Sequence, residues 1–260
     1  MPDRRNLDPA DILNVTAYRF VTLDRLTERR TRYLQQARAL GLRGTIVLAE
    51  EGINFSLAGV PAAVATFLAE LQRDPPFATL VPPLAIKRSF SAAPPFAHML
   101  VKLKREIVAL KRPDIRPDRT PAPRVSPTEL KNWLDQGHDV VLLDTRNQFE
   151  IEHGTFVGAE SLALRSFNDL PARLQAASRD WNTRTVVTFC TGGIRCEKAA
   201  PLLIEAGFQD VRQLDGGILR YFEECGTQHF AGDCFVFDAR VALASDLGPA
   251  DPREPVKNDR

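Results

Sequence analysis

The stretch TVVTFCTGGIRCEK, residues 185–198, decides the architecture of the C-terminal half of this chain. Residues 186–189 form a short apolar run rich in β-formers, which predicts a buried strand that ends at Cys190. The residues that follow, from 196 to 207, predict a helix that Gly207 ends. Cys190 is therefore expected on a glycine-containing loop between the tip of a strand and the start of a helix.

This loop favours the ionised form of the cysteine. Backbone N–H groups at the start of a helix are unpaired and carry partial positive charge, and adjacent glycines let several N–H groups point at one anion. An arginine at the end of the loop adds a fixed cation, and each of these effects lowers the pKa of a thiol. The predicted active-site loop consists of Cys190, Thr191, Gly192, Gly193, Ile194 and Arg195.

Length and composition bound the class of protein. The 260 residues are enough for two domains of ordinary size. Since the chain has no apolar run of about 18 residues and no apolar signal core near Met1, we expect no membrane contact and a cytoplasmic location. Four cysteines lie in the last third without CxxC spacing, which predicts reduced thiols and no metal site.

Charge is unevenly distributed along the chain. The formal net charge is only +1, but residues 87–124 contain ten basic and three acidic residues, so this segment carries +7 and the remainder −6. Clustered Lys and Arg side chains are typical of surfaces that bind phosphate backbones.

Residues 14–110 predict a ferredoxin-like (acylphosphatase-like) α+β domain, because strands and helices are expected in the order β-α-β-β-α-β. Such a sheet has one face covered by helices and one open face. The turn with Glu50, Glu51 and Asn54 has two interpretations, ordinary turn chemistry or a surface that faces RNA or a partner. We find no nucleophile–base arrangement in this half.

The basic segment has two parts. Residues 99–110 predict a strand with Lys102 and Lys104 on one face and Arg105 on the other. Residues 111–124, which begin with Lys111 and Arg112, are too rich in proline for a helix and predict an extended linker. The linker is either simply solvated or part of a track for RNA phosphates. The candidate RNA-binding residues of the whole basic segment are Lys102, Lys104, Arg105, Lys111 and Arg112.

Residues 125–232 predict a parallel α/β domain. Ser126, Pro127 and Glu129 have the pattern of a helix start, and strands and helices alternate from there onward. In such sheets, functional groups gather at the carboxyl ends of the strands, where Asp144 and Cys190 are expected. Residues 233–260 form a C-terminal extension with a polar end that is predicted to be disordered.

Four side chains are expected to support the loop. Asp144 and Arg146 predict a structural ion pair, and Glu150 is expected to accept hydrogen bonds from loop amides or from Arg195. Cys196 has two interpretations: packing in the first helical turn, or resolution of an oxidised or persulfidated Cys190.

Three segments carry a resemblance to a known family. The runs CTGGIRCEK, LDGGILRYFEE and GDCFVFDARVAL make the chain similar to the rhodanese-related tRNA uridine-34 hydroxylases over about residues 15 to 245. The resemblance implies oxygen-dependent hydroxylation of C5 of uridine 34 to 5-hydroxyuridine, with Cys190 as the active-site cysteine. It also implies the tRNA anticodon loop as partner rather than DNA, no metal, flavin or haem, and molecular oxygen as co-substrate. The chain is expected to be a short member without the cysteine-rich tail of longer ones.

Two other functions remain open at the level of sequence. One is sulfur transfer through a persulfide on Cys190, which the six-residue loop from Cys190 to Arg195 suits. The other is a non-enzymatic tRNA-binding or partner-binding module, against which the retained Cys190 argues. For hydroxylation, the Cys190 thiolate is expected either to add to C6 of uracil or to act as a persulfide.

Overall fold

A computed structural model describes residues 12–80, 82–176, 181–244 and 247 of the chain. The polar C-terminal end that the sequence predicts to be disordered lies outside these described residues. No helix within them is both long and apolar enough to cross a membrane.

The N-terminal domain has the predicted β-α-β-β-α-β order with one further strand. Its five-stranded sheet has the order β4-β1-β3-β2-β5, and every neighbouring pair is antiparallel except β2 and β5. The elements are β1 (Ile12–Phe20), α1 (Leu26–Ala39), β2 (Arg43–Ala49), β3 (Gly52–Gly59), α2 (Pro61–Arg73), β4 (Lys87–Ser91) and β5 (Met99–Leu103).

Alternation along the strands sends successive side chains to opposite faces of this sheet. On one face, Val15, Phe55 and Leu57 belong to an apolar core that also contains residues of α1 and α2. On the other face, Phe20 packs with Ile107 and with Ile194 of the C-terminal domain. The prediction that one face of this sheet is open is therefore wrong in part, because the C-terminal domain covers some of that face.

The strand predicted over residues 99–110 is shorter than expected. β5 ends at Leu103, and the Lys104 N–H donates to the Leu48 carbonyl at 2.9 Å just beyond it. Lys104 and Arg105 therefore follow the strand and do not occupy alternating strand faces. Ile107 then turns inward, where its N–H donates to the carboxylate of Glu51 at 2.6 Å.

The proline-rich segment 111–124 contains no helix, as predicted, and only its last residue joins a strand. It is nevertheless not simply solvated. Ile115 and Ala122 are buried in the apolar core of the C-terminal domain, together with the preceding Leu110. The segment is thus packed onto that domain.

The C-terminal domain contains the predicted parallel sheet, with strand order β6-β11-β10-β7-β9. Ser126 caps its first helix as expected, because its Oγ accepts from the Glu129 N–H at 3.2 Å. The elements are β6 (Arg124–Val125), α3 (Pro127–Asp135), β7 (Val140–Asp144), α4 (Gln148–Ile151), β8 (Gly154–Phe156), β9 (Glu160–Ser161), a 3-10 turn (Phe167–Asp169), α5 (Leu170–Ala176), β10 (Thr185–Phe189), α6 (Ile194–Glu205), β11 (Asp210–Leu214), α7 (Gly217–Cys225), β12 (Phe230–Gly232), β13 (Cys234–Phe235) and β14 (Ala242–Leu243).

Candidate active site

Cys190 lies at the carboxyl edge of the parallel sheet, directly after β10. Its neighbour Phe189 pairs with Asp144 at the end of β7, and the Thr145 N–H donates to the Phe189 carbonyl at 3.0 Å. The two strand ends that the sequence predicted to meet do meet. Cys190 is fully enclosed, with 0% of its surface exposed.

The loop holds the sulfur of Cys190 through a backbone amide. The Gly193 N–H donates to Sγ at 3.1 Å, and Gly193 has a φ of +94°, in the left-handed region that favours glycine. Burial alone would raise the pKa of Cys190, but the Cys196 thiol, the charge of Arg195 and the loop amides together lower the pKa below its ordinary value. The loop therefore favours a thiolate, as the sequence predicts.

Cys196 differs from Cys190 although both are fully buried. Burial and the neighbouring sulfur of Cys190 raise the pKa of Cys196 well above its ordinary value. Cys196 lies in the first turn of α6, and its Sγ is 3.8 Å from Oγ1 of Thr145. The site thus combines one thiol that favours ionisation with a neighbouring thiol that keeps its proton.

Arg195 forms a buried ion pair with Glu150. Its two terminal nitrogens donate to the two carboxylate oxygens at 2.6 and 2.7 Å. Of the two expected roles for Glu150, the structure shows the pair with Arg195; its Oε1 also accepts from the N–H of Asn147 at 3.0 Å, which caps α4. This pair fixes the guanidinium beside the loop, and it raises the pKa of Arg195 against the effect of burial.

Asp144 and Arg146 form the predicted ion pair, with contacts of 2.6 to 3.1 Å between the guanidinium and the carboxylate. Both side chains are buried. Thr155 also donates to Asp144 at 2.8 Å, and Arg146 donates to the Gly154 carbonyl at 2.6 Å. The pair therefore ties the end of β7 to the start of β8.

The start of α7 supports the loop from a second side. The N–H groups of Ile218 and Leu219 donate to the carbonyls of Cys190 and Thr191 at 3.0 and 3.1 Å. A Cβ on Gly217 would lie 2.4 Å from the Cys190 carbonyl oxygen, so only glycine permits this approach. This close packing explains the second glycine of the segment LDGGILRYFEE.

Lys87, from strand β4 of the N-terminal domain, reaches the same loop. Its ammonium group donates to the carbonyls of Gly192 and Gly216. The residue keeps some exposure, but its ammonium end is enclosed, and this burial lowers the pKa of Lys87 to about 8. In the sequence Lys87 is only one of ten basic residues in its segment, because nothing nearby in the chain indicates its distant partners.

Tyr18 and Arg124 meet helix α6 at Glu197. The buried Glu197 carboxylate accepts from the Tyr18 hydroxyl at 3.0 Å and from Arg124 at 2.7 Å, and Gln213 donates to it at 3.0 Å. Burial, Glu197 and Cys190 raise the pKa of Tyr18 well above its ordinary value, so the hydroxyl keeps its proton. Strand β1 is thereby fixed to the helix that follows the cysteine loop.

Lys198 makes a second contact between the domains. Its fully buried ammonium group lies 2.8 Å from a carboxylate oxygen of Glu51 and 2.7 Å from one of Glu106. The Asn54 side chain donates to the Ile107 carbonyl at 3.3 Å nearby. From the sequence this turn has two interpretations, ordinary turn chemistry or a surface that faces RNA or a partner. In the structure Glu51 of the turn contacts α6, while Glu50 is exposed.

Among the described residues, the predicted RNA-binding residues make no side-chain contact with the cysteine loop. Lys102, Lys104, Arg105 and Lys111 are exposed. Arg112 instead pairs with Asp114 at 2.5 Å and with Glu205 at 2.8 Å, and it lines a cleft of about 260 Å³ that does not include Cys190. Among the residues that the structure describes, no three His, Cys, Asp or Glu side chains cluster so as to hold a metal ion.

Two family models match this chain. The model of the UPF0176 acylphosphatase-like domain matches residues 12–107, and the model of the rhodanese-like domain matches residues 126–224. A solved structure of the rhodanese-like domain of an Anabaena protein is 22% identical, covers 51% of this chain and 88% of its own, and has a TM-score of 0.38.

Curated relatives match across both domains. The tRNA uridine(34) hydroxylase of Variovorax paradoxus is 53% identical over 242 residues, which are 91% of this chain and 90% of that protein. The tRNA uridine(34) hydroxylase of Cupriavidus necator is 49% identical over 248 residues, which are 94% of this chain and 86% of that protein.

Proposed function

This chain belongs to the tRNA uridine(34) hydroxylase family, and we propose that it hydroxylates C5 of uridine 34 with Cys190 as its active-site cysteine. It is an enzyme of the oxidoreductase type that acts on tRNA. Its partner is the anticodon loop, its oxidant is molecular oxygen, and it works in the cytoplasm.

The observation that carries the role of Cys190 is the hydrogen bond from the Gly193 N–H to its Sγ, with Arg195 beside it. A thiolate is the form that adds to electron-poor carbon, such as C6 of uracil. Addition at C6 raises electron density at C5, the atom that is hydroxylated, and loss of the C5 proton afterwards breaks the C6–S bond and frees the thiolate. One atom of dioxygen enters C5, and the other leaves as water with two electrons from an external reductant. The neighbouring Cys196 keeps its proton, so the site holds one thiolate beside one neutral thiol.

Access to the sulfur is part of this proposal. Cys190 has no exposed surface, so a uracil ring contacts Sγ only after groups packed around the loop have moved. Two of those groups come from the N-terminal domain. The Tyr18 hydroxyl would lie 3.0 Å from a Cβ on Gly193, and the Lys87 ammonium 3.4 Å from a Cβ on Gly192. We therefore place the entry of the base at the contact between the two domains.

Sulfur transfer is a second candidate function because the same loop suits a persulfide. A persulfide on Cys190 is an anion near the same amide and guanidinium groups that favour the thiolate. The two functions differ in product, since sulfur transfer converts thiosulfate or another sulfur donor and leaves uridine 34 unhydroxylated.

The test is nucleoside mass spectrometry of tRNA from a strain that lacks this protein and every other route to 5-hydroxyuridine. Complementation with the wild type is expected to restore 5-hydroxyuridine, and Cys190→Ser is expected to leave none. Cys225→Ser is the matched control, because Cys225 lies at the end of α7 outside the loop; it is expected to behave as the wild type.

Two outcomes contradict the proposal. If the wild type does not restore 5-hydroxyuridine, hydroxylation is wrong, and formation of a Cys190 persulfide from thiosulfate then supports the second candidate. If Cys190→Ser restores the nucleoside fully, the role of Cys190 is wrong. With purified enzyme, ¹⁸O-labelled dioxygen is expected to label the product, and label from water instead would rule out oxygen as the direct source.

A further inference from the structure

An exposed group of aromatic rings lies beside the cysteine loop. Phe149 of α4, Phe235 of β13 and Phe237 pack against one another, with ring centroids 5.0 to 6.2 Å apart. We call these three residues the aromatic surface. Phe149 is 43% exposed and Phe237 is 65% exposed. Adjacent phenylalanine rings with this much exposure indicate a binding surface rather than core packing.

The aromatic surface contacts the loop directly. The guanidinium carbon of Arg195 lies 6.0 Å from the centre of the Phe237 ring, and the Thr191 hydroxyl donates to the Phe235 carbonyl at 3.5 Å. Phe149 immediately precedes Glu150, the carboxylate that holds Arg195. A molecule bound on these rings is therefore next to the residues that surround Cys190.

The segment that carries Phe235 and Phe237 is anchored at both of its sides. Strands β13 and β14 pair, and Arg240 between them donates to the Ser89 hydroxyl of β4 at 2.7 Å. The Ala239 N–H donates to the Pro95 carbonyl at 3.2 Å. These anchors hold the backbone of the segment against the N-terminal domain, which lowers the entropy cost of binding a partner on its rings.

We propose that the aromatic surface stacks an unpaired base of the anticodon loop that flanks uridine 34. The inference rests on the proposed function, and it assigns a binding role to residues that the reaction itself does not require. Single-stranded RNA is recognised largely by stacking of its bases on aromatic side chains, and the rings of the aromatic surface lie here in contact with the loop. Arg195 is paired with Glu150, so the surface offers ring area with little net charge.

The occupant is a flanking base because of where the rings lie. Cys190 is enclosed, whereas Phe149 and Phe237 face solvent, so one uracil cannot contact the sulfur and lie flat on these outer rings at the same time. Holding a neighbouring base outside would keep the loop unstacked while the target uridine enters. This arrangement lowers the cost of turning the target base out of the loop.

The experiment measures RNA binding, independently of hydroxylation. An anticodon stem–loop RNA carries the fluorescent base 2-aminopurine beside uridine 34, and a fully paired duplex of the same length is the control RNA. Phe237→Ala and Phe237→Leu are expected to weaken binding of the stem–loop by about 5- to 150-fold and to remove the quenching of 2-aminopurine. Phe237→Trp is expected to retain both, and duplex binding is expected to stay unchanged.

Val157→Ala is the matched control variant, because Val157 is 66% exposed in the same domain and is not part of the aromatic surface; it is expected to bind as the wild type. Wild-type binding by Phe237→Ala would overturn the proposal. The proposal would also be overturned if Phe237→Leu bound the stem–loop as tightly as Phe237→Trp, because apolar contact without stacking would then suffice.

Two further outcomes separate this inference from the proposed function. If Phe237→Ala binds RNA normally but loses self-association in light scattering, the surface is a protein contact and the proposal is wrong. If the wild type forms 5-hydroxyuridine while Phe237→Ala binds and reacts equally well, the stacking proposal is wrong and the proposed function stands. A wild type that neither binds the stem–loop nor hydroxylates it overturns both proposals.

Discussion

The two faces of the N-terminal sheet have different partners although the same strands build both. One face carries Val15 and Phe55 and packs against the domain's own helices through apolar side chains. The other carries Tyr18 and Lys87, which hydrogen-bond to α6 and to the cysteine loop of the other domain. The strand pairing places Lys87 beside Thr16, on the face of Tyr18.

The difference separates what folds the domain from what serves the site. Apolar burial on the helix-covered face supplies folding free energy in proportion to the area removed from water. The polar contacts on the other face contribute less net stability, because each exchanges hydrogen bonds with water for hydrogen bonds within the protein. Their directionality instead fixes the position of the loop. Substitutions on the two faces should therefore differ in their effects on unfolding and on activity.

The largest expected effect on stability comes from the helix-covered face. Phe55 is 1% exposed, and Phe55→Ala is expected to lower the free energy of unfolding by about 3–5 kcal/mol through loss of burial and the cavity left behind. Tyr18→Phe on the opposite face, which loses only the hydrogen bond to the Glu197 carboxylate, is expected to cost about 1.5–3 kcal/mol. Urea unfolding followed by circular dichroism measures both, and equal losses would contradict the distinction.

A smaller loss is expected at the contact between the domains. Glu51→Gln keeps the shape of the side chain but removes one of the two charges that surround Lys198. Because it weakens a buried charge-assisted hydrogen bond, it is expected to lower the free energy of unfolding by about 1–3 kcal/mol. The neighbouring Glu50→Gln, at an exposed position, is expected to stay within about 0.5 kcal/mol of the wild type. A Glu51→Gln protein as stable as Glu50→Gln would argue against this contact.

Lys87→Met tests whether the site-facing side of the sheet affects activity more than stability. We expect a rate of 5-hydroxyuridine formation about tenfold lower, with a loss of unfolding free energy of about 0.5–1.5 kcal/mol, because the loop carbonyls lose a charged donor. Arg88→Met, the exposed neighbour on the same strand, is the control and is expected to leave the rate unchanged.

The pH profile sharpens this test. The pKa of Lys87 is lowered to about 8, so its positive charge is present below that pH and is lost as the pH rises through it. The wild-type rate is therefore expected to fall above about pH 8. Lys87→Met should lack this alkaline decline, and Lys87→Arg should move it to higher pH. An identical decline in all three proteins would show that another group causes it.

The smallest effect on stability is expected for the exposed basic residues. Changing Lys102, Lys104 and Arg105 together to Ala is expected to alter the free energy of unfolding by less than about 0.5 kcal/mol. It should weaken tRNA binding and reduce the salt dependence of the logarithm of the binding constant by about 2. Arg112→Ala is the control with little expected change in that slope, because Arg112 is already paired with acidic residues. An unchanged slope in the triple variant would place the phosphate contacts elsewhere.

Sequence alone was sufficient where the chemistry is local. Strand, glycine loop and helix follow one another around Cys190, and the cap at Ser126 needs only residues three apart. The parallel sheet follows from alternating elements, and it brings Asp144 to Cys190 without knowledge of any side-chain contact. Both family models fall on the two regions that the pattern distinguished.

The contacts between the domains could not be predicted in this way. Lys87 and Gly192 are 105 residues apart, and Lys198 and Glu106 are 92 apart, so no periodicity links them. A basic residue on a strand looks the same in sequence whether it meets RNA or a loop carbonyl. The strand predicted over residues 99–110 is too long because basic and apolar residues continue beyond Leu103, where tertiary contacts of Glu106 and Ile107 redirect the chain.

Glu51 and Glu106 share the ammonium group of Lys198, and this limits how chimeras of related enzymes can be constructed. A recombinant that joins this rhodanese-like domain to the N-terminal half of a relative would inherit a buried cation, and its two carboxylates would come from the other parent. An unmatched buried charge is costly, so the crossover point cannot be chosen from the domain boundary alone. Glu51, Glu106 and Lys198 have to be transferred as one unit if the hybrid is to keep the packing of α6.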